Sequence, residues 1–176
     1  MSIVLQGIDS DHKKAIAREV QLAIEAFDRI GPSAAHDACE AKRKEIIDEV
    51  NAGSTAYDIG PDRPVKTNQQ GVEELSQEFE PFVRPSVITV EFTPADIPGA
   101  QPYCPMAVVP GSPVIQVCAD YIDANLNYRG LSVRDLTFHE LVHICGDPKD
   151  NKFDNIPRMN WVAVEALKRA TQALPP

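Results

Sequence analysis

The stretch LTFHELVHICGD, Leu136 to Asp147, carries His139, Glu140 and His143 in the order H-E-x-x-H. On an α-helix, residues i and i+4 share a face one turn apart. Two imidazoles so placed can bind one Zn²⁺, and Glu140, beside the first, can serve as general base toward a water activated by that metal. The chain has only four histidines, His12, His36, His139 and His143, so two of them at ligand spacing around a glutamate is a specific signal. The plain alternative is a charged, solvated helix face that happens to carry two histidines. A catalytic zinc commonly takes three protein ligands and leaves one position to water. After His143 the chain offers Asp147, Asp150 and Asp154, and no further histidine. Asp147, at the helix end, has little chain with which to curl back, whereas Asp150 and Asp154 allow a turn. At least two of the three must be ordinary solvated loop carboxylates.

The helix that must present these groups is legible. Ser132 is placed as N-cap and Asp135 stands three residues on, where it can close a capping box. Leu131, Leu136, Leu141, Val142 and Ile144 give the helix apolar surface, and Gly146 with Pro148 ends it. Upstream, Ser10 to Ile30 has helical apolar spacing and stops at Gly31-Pro32. Ser33 then reads as the cap of a second helix through Val50, and the two form an αα-hairpin. Residues Ser54 to Thr67 look irregular, and Asn68 to Phe79 has the composition of a short helix. SVITVEF, Ser86 to Phe92, is β-branched and alternating, a strand. Thr93 to Tyr103 is a proline-rich loop. Pro105–Val109 and Pro113–Cys118, joined by Pro110-Gly111-Ser112, read as a hairpin. A connecting loop, Ala119 to Gly130, leads into the H-E-x-x-H helix, and Asp147 to Pro157 is a polar loop. A final helix spans about Arg158 to Ala173, with Met159, Val162, Val164, Ala166, Leu167 and Ala170 as packing positions. His12 and His36 read as surface residues.

At 176 residues, 43% hydrophobic and 24% charged, the chain has the size and composition of a single globular domain, 1–176. A net charge of −9 disfavours nucleic acid or an anionic membrane as partner. No apolar run approaches the length of a membrane span. The first residues have neither the basic region nor the apolar length of a signal peptide. The four cysteines, Cys39, Cys104, Cys118 and Cys145, permit three full pairings. Cys104 and Cys118, which bracket the hairpin, are the first candidates for a bridge, and four buried thiols in a reducing compartment are the other reading.

VIQVCADYI, a short loop and LSVRDLTFHELVH together resemble the aspzincin zinc peptidases, the deuterolysin and lysine-specific fungal endopeptidase group. The resemblance covers roughly Ser86 to Leu167. It implies a zincin-like fold, zinc held by His139 and His143, Glu140 as base, and Asp154 in KFDN as third ligand. It also implies a bridged hairpin at Cys104 and Cys118, a polypeptide substrate and a secreted protein, the alternative being a cytoplasmic one. Two positions depart from the family pattern. Asn151-Lys152-Phe153 replaces the Gly-Thr that precedes the ligand aspartate. Pro157 stands where the family places a tyrosine that helps stabilise the oxyanion, leaving Tyr121, Tyr128 and Arg158 as candidates for that role. HELVHICG is also similar to the start of the metzincin motif, and PRMNW to its Met-turn at Met159. The metzincin third-ligand position falls on Lys149, with Asp150 one residue away. The expected fold is α+β: N-terminal helices, a small sheet with a hairpin, the H-E-x-x-H helix and a C-terminal helix. The expected function is a zinc-dependent endopeptidase, with a catalytically weak zincin-fold binding protein as the alternative.

Overall fold

The computed structural model describes residues 1–52, 56–58, 64–66, 78–146 and 157–175. Strand β1 (Ser2–Gln6) opens the chain, followed by helices α1 (Asp11–Ile30) and α2 (Pro32–Asn51). Two short strands follow, β2 (Ala56–Asp58) and β3 (Pro64–Lys66), and then β4 (Val87–Phe92), β5 (Met106–Val108) and β6 (Val114–Val117). A 3₁₀ turn (Ala119–Tyr121) and a two-residue ladder of β7 (Asn127–Tyr128) with β8 (Leu131–Ser132) lead into α3 (Val133–Gly146), and α4 (Pro157–Gln172) closes the chain. Among the described residues this is a mixed α+β architecture with four α-helices and a small mixed sheet.

The four-stranded sheet runs β1-β4-β6-β5. β1, β4 and β6 are parallel, with Ser2 opposite Val87 and Thr89 opposite Val114, while β5 runs antiparallel at the edge, Met106 opposite Val117. Alternation in β4 buries Ile88, Val90 and Phe92 and leaves Val87, Thr89 and Glu91 more open, the pattern of a sheet packed on one face. The buried face joins a single core with Ile16, Val20, Ile24 and Phe27 of α1, Phe138, Leu141 and Val142 of α3, and Val162 and Leu167 of α4. Helix α1 packs on α3, and α2 and α3 both pack on α4.

The local chemistry explains most boundaries. Ser10 Oγ accepts the Lys13 amide at 3.1 Å and caps α1. Gly31, at φ +80°, ends α1 through its amide on Phe27 O. Helix α2 begins at Pro32 rather than being capped by Ser33, because proline fits the first helical position and the Gly31 carbonyl already accepts the Ala35 amide at 3.0 Å. Strand β1 is an addition to the sequence reading, and β2 pairs antiparallel with β3 inside a stretch expected to be irregular. The hairpin, the strand at 87–92 and the last two helices form where expected. The short helix over Asn68 to Phe79 and the polar loop Asp147 to Pro157 lie almost wholly outside the described residues.

Two histidines expected at the surface are structural. His12 Nε2 lies 2.8 Å from Ile122 O and 3.3 Å from Ala119 O, tying α1 to the 3₁₀ turn. His36 Nε2 lies 2.8 Å from Phe79 O, and its ring meets Phe82 edge-on. The strap at 79–84 is thereby clasped to the helical layer. Glu40 accepts the Phe79 amide and pairs with the buried Arg43 at 2.8 Å. Arg84 pairs with Asp28 of α1.

Candidate metal centre

Helix α3 is held at both ends and along its length. At its start the capping box closes in both directions: Asp135 N donates to Ser132 Oγ at 3.1 Å, and Ser132 N to Asp135 Oδ2 at 2.9 Å. The buried Asp135 also has Lys168 Nζ of α4 3.1 Å from Oδ1, a charge contact without hydrogen-bond alignment. In its middle, Thr137 Oγ1 donates to Val133 O at 2.7 Å and lies 3.9 Å from Met106 Sδ of the edge strand β5. At its end, the Val83 amide of the strap donates to Cys145 O at 2.8 Å. A helix fixed in this way can aim side chains reproducibly.

On one face of α3, His139 and His143 converge. Their Nε2 atoms are 3.3 Å apart and their ring centroids 4.9 Å, with the planes at 76°. Two nitrogens bound to one zinc at the usual Zn–N length, with a tetrahedral angle between them, stand about 3.3–3.4 Å apart. The pair therefore fits two positions of a tetrahedral zinc; in the metal-free chain the same separation suits a hydrogen bond between the rings. Burial drives the His139 pKa down to about 3, and the neighbouring His143 adds to the shift. The ring is thus neutral at physiological pH, the form that ligates metal. Its Nδ1 is buried with no hydrogen-bond partner among the described residues. Glu140 is buried, at 6% exposure.

Trp161 of α4 covers His139, with ring centroids 4.7 Å apart and planes tilted by 35°. This contact escaped the sequence reading. The usable signal was that the chain's single tryptophan falls a few residues past the acidic loop with no role assigned to it. Among the described residues no three His, Cys, Asp or Glu side chains are grouped to hold a metal. Asp147, Asp150 and Asp154 lie outside those residues, and so do the side chains of Arg158 and Met159.

All four cysteines are thiols, so the expected Cys104–Cys118 bridge at the hairpin is not formed. Burial is the first cause raising each of them, Cys145 to about 12, so they stay protonated at neutral pH. Cys104 Sγ donates to Met106 O at 3.1 Å. Of the residues considered for an oxyanion role, Tyr121 gives its hydroxyl to Asp96, and that hydrogen bond raises its pKa to about 12. Tyr128 lies beneath the Arg129 guanidinium, 5.5 Å from the ring centroid.

No family model, curated protein or solved structure matches the chain. No helix among the described residues is long and apolar enough to cross a membrane.

Proposed function

We propose that this chain is a zinc-dependent endopeptidase with a zincin-like fold, similar to the aspzincins, that hydrolyses peptide bonds in polypeptide substrates. The observation that carries the reading is the convergence of His139 and His143 Nε2 at 3.3 Å on a helix that also holds Glu140 between them in sequence. His139 and His143 would hold the metal, with Asp154 as the third ligand by resemblance and Asp150 as the metzincin-like alternative. Bound zinc would supply Lewis acidity to a water and to the scissile carbonyl. Glu140 would take the water's proton and pass it to the leaving amine nitrogen.

The test is metal content per chain by elemental analysis, paired with a broad peptide-substrate screen run with and without chelator. Near-stoichiometric zinc, lost in His139→Ala and His143→Ala, with chelator-sensitive cleavage, is the expected outcome. No zinc in the wild type, even after refolding with metal, would overturn the reading. Stoichiometric zinc with no cleavage across the screen would favour the second reading, a zincin-fold binding protein. The observation behind that alternative is Pro157, which occupies the position of the aspzincin tyrosine.

A further inference from the structure

A histidine that binds metal through Nε2 carries its proton on Nδ1. That N–H ordinarily donates to a carboxylate or carbonyl, which fixes the ring's orientation and strengthens the ligand. His139 departs from this pattern. Its Nδ1 is buried, yet among the described residues no hydrogen-bond partner meets it. A buried polar atom left in this way is uncommon, and it means that something else must hold the ring. Besides the His143 ring, which meets it edge-on at 4.9 Å, the contact is aromatic: the Trp161 ring lies 4.7 Å from that of His139, tilted by 35°. This geometry lies within the range of favourable aromatic pairs.

We propose that Trp161 is a positioning residue of the metal centre. Its indole holds the His139 imidazole in the plane that brings Nε2 toward His143 Nε2, in place of the usual hydrogen bond at Nδ1. The inference rests on the zinc reading above and adds a dependence of metal affinity on α4. Helix α4 packs on α3, with Val162 and Leu167 in the shared core and Lys168 reaching Asp135 of α3. The indole is therefore carried on a rigid element.

The experiment measures zinc affinity of the full chain by competition with a chromophoric chelator, for the wild type, Trp161→Phe and Trp161→Leu, with circular dichroism confirming the fold of each. Phe keeps a flat ring; Leu keeps apolar bulk without one. The expected result is near-wild-type affinity for Phe and a loss of about tenfold or more for Leu, the scale of removing an outer partner of a metal-binding histidine. Leu binding zinc as tightly as the wild type overturns the inference and leaves the metal centre standing. No zinc uptake by the wild type overturns both. A second readout does not depend on either variant folding. Trp161 is the chain's only tryptophan, so one equivalent of zinc should change the wild-type emission, and His139→Ala should abolish that change. Zinc bound with no change in emission also overturns the inference.

Discussion

Glu140 lies next to His139 in sequence and is buried. If it is the base, Glu140→Gln keeps the shape and the metal but cannot accept a proton. Turnover should fall by about 10²–10⁴-fold, the usual worth of a general base, while zinc per chain by elemental analysis stays at the wild-type value. Unchanged turnover would remove Glu140 from the chemistry. The third ligand is separable in the same way. Asp154→Ala should lower zinc content and Asp150→Ala should not; the reverse result would favour the metzincin-like spacing. At this scale the site was half legible. The placement of His139, Glu140 and His143 follows from helical periodicity, a local rule that sequence expresses directly. Trp161 reaches His139 only because α4 packs on α3, and nothing in the spacing of either segment announces that contact. His12 and His36 were misread for the same reason, since the carbonyls they bond belong to distant parts of the chain.

The elements that carry these residues differ in what holds them. Helix α3 depends on its capping box, so Ser132→Ala should destabilise the fold by about 1 kcal/mol, read as a lowered denaturation midpoint with unchanged slope. Helix α2 depends on the clasp around Glu40. Burial alone would raise that carboxyl, but hydrogen bonds from Arg43 and the Phe79 amide, with the charges of Arg43 and His36, outweigh it and hold the pKa below the ordinary 4.5. A carboxylate lowered by folding contributes stability that is fully present above its unfolded value and is lost as the pH falls through the folded one. The clasp should therefore loosen below about pH 4.5, and Glu40→Gln should flatten that part of the acid-denaturation curve. An unaltered curve would mean that the clasp contributes nothing. Caps, glycine stops and β-branched alternation made α1, α3, β4 and the β5–β6 hairpin readable in advance. Strand β1 was not readable, because its run Ile3-Val4-Leu5 lacks alternation and its pairing partner lies beyond two helices. Gly7 shows the same long reach. At φ +77°, an added Cβ would fall 2.6 Å from Phe92 O, so Gly7→Ala should unseat the β1–β4 junction and lower the melting temperature.

For the whole molecule, the consequence of a metal centre is thermodynamic coupling. Zinc held as proposed would bind the folded state, in which the two Nε2 atoms already converge. The unfolded chain keeps the same two histidines but not their geometry. A ligand that binds only the folded form stabilises it by about 2.7 kcal/mol at one hundred times its dissociation constant. For a chain of this length each kcal/mol moves the melting temperature by about 2–4 °C. Calorimetry at fixed pH should therefore place the zinc-loaded protein about 5–11 °C above the chelator-treated one. Weak binding by the unfolded histidines would draw the value toward the lower end. His139→Ala with His143→Ala should melt at one temperature with or without zinc, which separates the site from non-specific binding at surface carboxylates, abundant in a chain of net charge −9. A wild type whose melting temperature ignores zinc would mean that the convergent imidazoles are a hydrogen-bonded pair inside an α+β core. The same shift measured on Trp161→Leu would then report how much of the coupling between α3 and α4 runs through the indole. A reduced shift with zinc still bound is the outcome that joins metal, helix packing and fold in one measurement.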